Sequence, residues 1–226
     1  MTPLVWLPGM MCDARMFGPQ VTAFGGRVGD ISGSDSMQAL AADVLAKAPE
    51  RFALVGLSMG GIVAMEIMAQ APDRVTRLAL LDTNPRAETP DMQARRGPQM
   101  DAVRAGHLRA VMRDEMKPNY LADGAGKAAI LDLCMDMAET LGPDTFIRQS
   151  RALRDRPDQQ DTLRGITVPT LILCGREDRA CPVERHEVMH ALIPRSALTI
   201  IDGAGHLPTL EKPDATNAAL ARWLTS

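Results

Sequence analysis

Short apolar runs and amphipathic stretches alternate near both ends of the chain, whereas its middle carries only stretches with helical spacing. A continuous apolar run is typical of a strand that is buried on both faces of a parallel sheet. The runs predicted as strands are Leu4–Leu7, Phe52–Leu57, Val75–Leu81, Thr170–Cys174 and Ala197–Ile201, with Arg27–Ile31 as a weak edge strand.

Helices are predicted between these strands. Ser36 is a suitable N-cap for a pattern with helical spacing that begins at Met37 and ends before Pro49. The other predicted helices are Ile62–Gln70, Val183–Leu192 and Thr209–Leu224. Strands that alternate with helices favour parallel βαβ units, so the chain is predicted to have an α/β fold.

Residues 86 to 164 break this rhythm. The segment has no convincing strand, and pairs such as Gly97-Pro98 and Gly142-Pro143 interrupt its helical stretches. We interpret it as a helical cap that is inserted into a core formed by residues 1–85 and 165–226.

Composition narrows the class of protein. The 226 residues are 46% hydrophobic and 23% charged, with a net charge of −3, which suits a globular enzyme and favours neither a nucleic-acid nor a membrane partner. The N-terminal stretch MTPLVWLPGMM lacks the basic region of a secretory signal, so we expect a cytoplasmic protein. The four cysteines show no Cys-x-x-Cys spacing and are predicted to be buried thiols.

The stretch GLSMGG, residues 56 to 61, contains the Gly-x-Ser-x-Gly pattern of serine hydrolases. It lies between a predicted buried strand and a predicted helix, where a nucleophile elbow has to be. Side chains at Gly56 or Gly60 would collide with the neighbouring strand and helix across so tight a turn. The motif therefore predicts Ser58 as a nucleophile, with N–H groups at the helix N-terminus available to an oxyanion.

A nucleophilic serine needs a base, and the base needs an acid. His206 lies in the loop after the last predicted strand, at the edge of the sheet where ligands gather. Asp178 and Asp82 each follow a predicted strand, and either carboxylate is a candidate to orient the imidazole. We expect Asp178 because it gives the chain order Ser, Asp, His, and Asp82 is the second candidate.

A competing motif is HEVMH, residues 186 to 190, which matches the zinc-binding pattern His-Glu-x-x-His. In a zinc peptidase His186 and His190 would bind the metal and Glu187 would act as the base, but no third ligand is obviously placed after the motif. Helical spacing directs Val188 and Leu192 to the core and leaves both histidines on a more solvated face. We expect a coincidental motif and a protein that needs no metal or organic cofactor.

From Leu4 to Leu224 the chain resembles an α/β-hydrolase fold enzyme of the small bacterial esterase type with a helical cap. The resemblance rests on LPGM, GLSMGG, VPTLILCGREDRACP and GAGHLPTLEKP, which follow the order typical of the family. It implies Ser58 as the nucleophile, Asp178 as the acid and His206 as the base.

The resemblance also implies an oxyanion hole made by the backbone N–H groups of Met10 and Met59. Many relatives have His-Gly where this chain has Pro8-Gly9, and the chain begins at what would be the family's third strand. We therefore expect a mostly parallel sheet that is trimmed at its N-terminal side to about six strands.

These features predict a carboxylesterase that cleaves a small carboxylic ester through an acyl-enzyme on Ser58. A carbon–carbon bond hydrolase or lyase with the same triad, a ligand-sensing protein of the same fold, and the zinc peptidase remain alternatives. Met10, Met11, Met59 and the cap methionines indicate an apolar pocket for the acyl or alcohol group of a small-molecule ester. His107, within the cap, is a further candidate for substrate contact.

Overall fold

Six strands form one sheet in the computed structural model, which describes residues 2–124 and 126–225. They are β1 (Leu4–Leu7), β2 (Arg27–Val28), β3 (Phe52–Leu57), β4 (Val75–Leu81), β5 (Thr170–Gly175) and β6 (Ser196–Ile201). Their order across the sheet is β2-β1-β3-β4-β5-β6, and each neighbouring pair is parallel. The predicted six-stranded parallel sheet is confirmed.

Helices precede and follow most of these strands. They are α1 (Gly18–Phe24), α2 (Met37–Lys47), α3 (Met59–Gln70), α4 (Pro90–Arg104), α5 (Leu108–Val111), α6 (Lys127–Arg154), α7 (Gln160–Arg164), α8 (Val183–Leu192), α9 (Pro208–Glu211) and α10 (Pro213–Thr225). The predicted cap of α2 is confirmed, because the Ser36 side chain accepts a hydrogen bond from the N–H of Ala39 at 3.2 Å. The turn Ala14–Phe17 and the short helix α1 were not predicted.

The strands β1, β3 and β5 are almost entirely apolar because the sheet has a hydrophobic core on each face. Successive residues of β1 belong to different cores: Val5 and Leu7 pack with one, Leu4 and Trp6 with the other. Every residue of β3 and β5 is buried, whereas the edge strand β6 is partly exposed. A continuous apolar run is therefore the pattern that central strands require here.

The register of the sheet determines where the functional residues lie. Leu57 at the end of β3 pairs with Leu81 at the end of β4, and Leu81 is followed directly by Asp82. The end of β4 also pairs with β5, because Leu81 lies opposite Leu173 and the N–H of Asp82 donates to the carbonyl of Leu173 at 2.9 Å. The carboxyl ends of three central strands therefore meet at one edge of the sheet.

Two predictions about helix boundaries need correction. The closing pattern forms two helices, because Pro213 begins α10 immediately after α9 ends. Helix α4 continues through Gly97-Pro98, where a break is predicted. Pro98 is exposed, so the carbonyl that it leaves without an N–H partner can be hydrated. The break at Gly142 is real, since its φ of 77° interrupts α6.

The stretch between β4 and β5 contains helices and turns in its described part, in keeping with the predicted cap, although the division of the chain into core and cap remains a prediction. Positions 1, 125 and 226 fall within the predicted core and cap ranges but lie outside the described residues. None of the helices in the described ranges is long and apolar enough to cross a membrane.

Candidate active site

Ser58 occupies the sharp turn between β3 and α3. Its backbone has φ 55° and ψ −118°, a strained conformation for a residue with a side chain, and its N–H donates to the carbonyl of Leu81 at 2.9 Å. A Cβ added at Gly56 would lie 2.3 Å from the carbonyl oxygen of Gly60, and one at Gly60 would lie 2.0 Å from that of Leu7. Both glycines are needed because the helix and the neighbouring strand pass so close.

A chain of hydrogen bonds runs from Ser58 through His206 to Asp178. The His206 Nε2 atom lies 2.9 Å from the Ser58 hydroxyl oxygen, and its Nδ1 atom lies 2.8 Å from a carboxylate oxygen of Asp178. Asp178 and His206 are both buried. The structure thus brings together the three residues that the sequence singled out.

The turn after β5 holds the Asp178 carboxylate. Its Oδ1 atom accepts hydrogen bonds from the N–H groups of Ala180 at 2.8 Å and Cys181 at 2.9 Å. Burial opposes ionisation of Asp178, but the facing His206 and these hydrogen bonds outweigh it and lower the carboxyl pKa. Because Asp178 is ionised, Nδ1 of His206 carries the donated proton and Nε2 is free to accept the Ser58 proton.

Asp82, the second candidate for the acid, is not hydrogen-bonded to His206. It is fully buried with φ 44°, and its Oδ1 atom accepts from the N–H of Gly175 at 2.9 Å. Burial, and then the charge of neighbouring Asp178, raise the pKa of the Asp82 carboxyl well above its usual value. The two neighbouring carboxyl groups are therefore shifted in opposite directions: the protonated form is favoured at Asp82 and the ionised form at Asp178.

The predicted oxyanion donors lie on two sides of Ser58. Met59 is the first residue of α3, so its N–H has no acceptor within the helix. The turn after β1 passes beside the serine, since a Cβ at Gly9 would lie 3.3 Å from that of Ser58, and Met10 lines the adjoining cavity. In the described part of the chain, no protein acceptor is found for the N–H of Met10.

Gln149 supports the turn after β1, a contact that sequence reasoning missed. Its Oε1 atom accepts from the N–H of Met11 at 2.8 Å, and its Nε2 atom donates to the carbonyl of Ile31 at 3.1 Å. Met11 has φ 54°, and the Gln149 side chain is buried beside it. No local pattern signals this role, because Gln149 and Met11 are far apart along the chain.

Glu211 and Tyr120 hold the loop that carries His206. The Glu211 carboxylate accepts from the N–H of Gly205 at 2.9 Å, Leu207 at 3.0 Å and Ala122 at 2.9 Å. The N–H of His206 itself donates to the carbonyl of Tyr120 at 2.5 Å. Sequence reasoning did not assign Glu211, although it follows His206 within the stretch GAGHLPTLEKP.

A cavity of about 440 Å³ adjoins Ser58 and His206, a size that suits a small ligand. Met10, Ile62 and Tyr120 form apolar parts of its lining. Met11 and His107, the two weaker candidates for substrate contact, do not line it: Met11 is packed in the core and His107 is exposed at the start of α5. The expectation for these two residues is therefore corrected.

The two histidines of HEVMH do not converge on a metal site. His186 is fully buried, not solvated as predicted, and its Nε2 atom accepts from the N–H of Thr83 at 3.1 Å. His190 is exposed, with Nδ1 2.8 Å from the Ser196 hydroxyl. The prediction was wrong because α8 turns His186 and Met189 to the sheet, and the Thr83 N–H satisfies the buried imidazole.

One group of three residues within the described ranges has potential metal-ligand atoms within 4.8 Å of one another: Asp178, Cys181 and His206. Two of these three already form the hydrogen-bond chain to Ser58. Burial raises the pKa of the Cys181 thiol, which disfavours the thiolate that metal binding needs.

Residues 8–219 match the family model described as the alpha/beta hydrolase family. The chain belongs to this family. A structural comparison agrees: the malate-bound thermophilic esterase from Thermogutta terrifontis superimposes with a TM-score of 0.91 and 28% identity, covering 100% of this chain and 90% of that chain. The predicted alpha/beta hydrolase fold is confirmed.

Curated relatives of this hydrolase include esterases. The pimeloyl-acyl-carrier-protein methyl ester esterase of Aliivibrio salmonicida (strain LFI1238) is 26% identical over 212 residues, which cover 85% of this chain and 76% of that protein. RutD of Cronobacter sakazakii (strain ATCC BAA-894), which is named as a carbamate hydrolase, is 24% identical over 196 residues. These residues cover 85% of this chain and 72% of that protein. These relatives support the prediction of a hydrolase that acts on esters.

Proposed function

We propose that this hydrolase is a carboxylesterase whose nucleophile is Ser58. The observation that carries the proposal is the unbroken hydrogen-bond chain from Ser58 through His206 to Asp178, with spacings of 2.9 Å and 2.8 Å. These distances suit proton transfer from a serine hydroxyl to an imidazole that a carboxylate orients. The esterases among the relatives support the same class of reaction.

In the proposed reaction, Ser58 attacks the ester carbonyl while His206 takes its proton. Asp178 stabilises the imidazolium, and the N–H groups of Met10 and Met59 donate to the oxyanion. His206 then gives the proton to the leaving alcohol, and it activates the water that hydrolyses the acyl-enzyme. No step in this sequence requires a metal or an organic cofactor.

The substrate in this proposal is a small ester with an apolar portion next to the reacting carbonyl. Ile62 lies one turn beyond Ser58 on α3, and the ring of Tyr120 packs against that of His206 with centroids 5.3 Å apart. Both side chains line the cavity beside the nucleophile. An apolar acyl or alcohol group would cover these surfaces.

Labelling with a fluorophosphonate, together with hydrolysis of p-nitrophenyl butyrate, tests the proposal. We expect the natural protein to be labelled and active, and Ser58→Ala to lose both label and activity. Ser36→Ala, which removes the N-cap of α2 far from the cavity, serves as the matched control and should keep the label. Labelling that persists in Ser58→Ala would refute the proposed nucleophile.

Two further outcomes separate the alternatives. Labelling at Ser58 without turnover of any simple ester or carbamate would favour a carbon–carbon bond hydrolase, a lyase or a sensor over an esterase. Activity that is lost on treatment with a chelator would favour the zinc peptidase. We expect activity to survive the chelator because His186 and His190 each have a separate protein partner.

A further inference from the structure

A buried cluster of two arginines and one glutamate lines the cavity beside the catalytic residues. Glu88 accepts from Arg96 at 2.6 Å and from Arg156 at 3.2 Å, and the side-chain exposures of the three residues are 1%, 9% and 10%. One carboxylate thus faces two guanidinium groups, and the cluster keeps one positive charge that no member neutralises. A buried charge without a counter-ion is costly, so the cluster favours an added anion.

The two guanidinium groups of the cluster also have N–H donors that the contacts within the described residues leave without a strong acceptor. Each guanidinium carries five N–H bonds. Arg156 uses Nε on the carbonyl of Arg86 at 2.9 Å and Nη1 on Glu88, while no acceptor is found for its Nη2 atom within the described residues. Arg96 directs Nη1 to the sulfur of Met10 at 3.6 Å, a weak acceptor. Burial and the charge of Arg96 lower the pKa of the Arg156 guanidinium, as expected for a cation short of anionic partners.

The rest of the cavity lining carries the same sign of charge. Arg95, Arg179 and Arg185 also line it, and their side chains form no ion pair or hydrogen bond with the residues that the structure describes. The lining carboxylates are Glu88 and Glu115. On a chain whose net charge is −3, five arginines around one cavity form a local positive field that would attract an anion.

We propose that the substrate carries a carboxylate in addition to its ester, and that Arg96 and Arg156 bind this carboxylate. The inference rests on the proposed ester hydrolysis at Ser58. Met10 connects the two sites, because its sulfur contacts Arg96 while its backbone belongs to the turn beside Ser58. The substrate class is therefore the half-ester of a dicarboxylic acid, with an apolar chain between its two ends.

Charge favours a carboxylate over a phosphate. The Glu88 cluster is short of one negative charge, which a carboxylate supplies, whereas a phosphate monoester brings about 1.5 to 2 negative charges. A planar carboxylate also matches the fork of donors that a guanidinium presents. Arg95, Arg179 and Arg185 then serve to attract the anion toward the cavity and do not fix its position.

The test compares two esters that differ in one charge: mono-p-nitrophenyl adipate and the analogue whose free carboxylate is replaced by a neutral carboxamide. We expect kcat/KM for the carboxylate ester to be about 10- to 100-fold higher, and the ratio to fall as salt is added. Arg156→Gln should remove most of this preference. Arg104→Gln, an exposed arginine of α4 outside the cavity, is the matched control and should leave the ratio unchanged.

A binding measurement separates this inference from the proposed function and does not depend on the folding of the Arg156 variant. Calorimetry with adipate and the Ser58→Ala protein should show binding that weakens as salt is added. The binding should be weaker still in the variant that combines Ser58→Ala with Arg179→Gln and Arg185→Gln. Equal turnover of the two esters together with no adipate binding would overturn the inference and leave the esterase intact. Adipate binding without ester turnover would support the anion site and refute the proposed function.

Discussion

Asp82 and Asp178 are two carboxylic acids at the ends of neighbouring strands, and their surroundings shift their pKa values in opposite directions. Asp178 accepts two backbone N–H groups and faces His206, which favours its ionised form. Burial, and then the negative charge of Asp178, raise the pKa of the Asp82 carboxyl and favour its protonated form. Both residues follow a strand in the sequence, but only Asp178 is hydrogen-bonded to His206.

This difference predicts the effect of replacing each acid by its amide. Asp82→Asn should keep kcat/KM within about threefold, because asparagine is as neutral as the protonated acid and can still accept from the Gly175 N–H. Asp178→Asn should lower kcat by about 10³- to 10⁴-fold, since the amide cannot hold His206 in the required tautomer. Steady-state kinetics with p-nitrophenyl butyrate measures both. A larger loss in the Asp82 variant would mean that Asp82 is the acid.

Sequence patterns identified the three residues of the hydrogen-bond chain and missed the residues that hold them in place. Ser58 lies in a motif that predicts a tight turn, and His206 lies in a stretch that predicts a loop. Asp178 follows an apolar run that predicts a strand. Gln149 and Glu211 act by hydrogen bonds to the backbone of distant loops, and those contacts exist only once the chain has folded. Neither leaves a periodic or compositional signal.

At the scale of single elements, the turn between β3 and α3 has almost no tolerance for added atoms. Gly60→Ala would place a Cβ 2.0 Å from the Leu7 carbonyl oxygen, so β1 or α3 would have to move. We expect this variant to lose more than about 3 kcal/mol of unfolding free energy and its activity. Gly97→Ala, in α4 with no heavy atom within 4 Å of the added Cβ, should instead gain about 0.5–1 kcal/mol. Urea denaturation of both variants provides the measurement, and equal stabilities would contradict it.

Helix α8 shows how tertiary structure overrides a sequence pattern. Its apolar residues predict that Val188 and Leu192 face the core. Leu192 does pack against the core, but it is only partly buried, and the fully buried residues of the helix are His186 and Met189. The helix can bury an imidazole because the Thr83 N–H, at the end of β4, is available to bond it. A single sequence does not reveal that the end of a neighbouring strand places a hydrogen-bond donor opposite this histidine.

The buried imidazole makes α8 a source of acid sensitivity. Burial lowers the pKa of His186 from its ordinary 6.5 to about 4 in the folded protein. The unfolded chain therefore binds more protons between these values, and the folded state loses stability as the pH falls from about 6.5 toward about 4. The full loss amounts to about 3 kcal/mol.

Replacing His186 should remove this loss. The difference in unfolding free energy between about pH 7.5 and about pH 4 should be smaller in His186→Gln than in the natural protein, because glutamine does not titrate and keeps an acceptor for Thr83. His190→Gln, an exposed neighbour on the same helix, is the control and should not change the difference. Parallel pH profiles for the natural protein and His186→Gln would show that the buried ring is not the cause.

At the scale of the whole molecule, Gln149 joins the segment between β4 and β5 to the rest of the chain. Gln149→Leu would leave the Met11 N–H and the Ile31 carbonyl buried without partners, at a cost of about 1–3 kcal/mol each. We expect a loss of stability of about 2–6 kcal/mol for the two groups together, and a lower kcat because the turn that carries Met10 loses its support. Gln38→Leu, the same change at an exposed position, should affect neither quantity in denaturation and kinetic assays.

The overall architecture was predictable because central parallel strands must be apolar, and such runs are easily read in β3, β4 and β5. The helical character of the segment between β4 and β5 was predictable, but the arrangement of its helices and side chains was not. Its arginines illustrate the limit: Arg96 and Arg156 look like ordinary surface residues in the sequence, and only the fold gathers them around Glu88. The cavity is therefore less apolar than the methionines alone suggest.

Residues 120 to 122 are tied to the loop of His206, because the Tyr120 carbonyl accepts from the His206 N–H and the Ala122 N–H donates to Glu211, which also accepts from Gly205. If residues 120 to 122 swing outward, the Tyr120 carbonyl and the Glu211 carboxylate pull the base with them, and Nε2 leaves Ser58. We therefore expect an opening on this side to disturb the spacing between His206 and Ser58. An entrance past α4, where Met92 and Arg95 line the cavity and are exposed to solvent, would admit substrate without that disturbance.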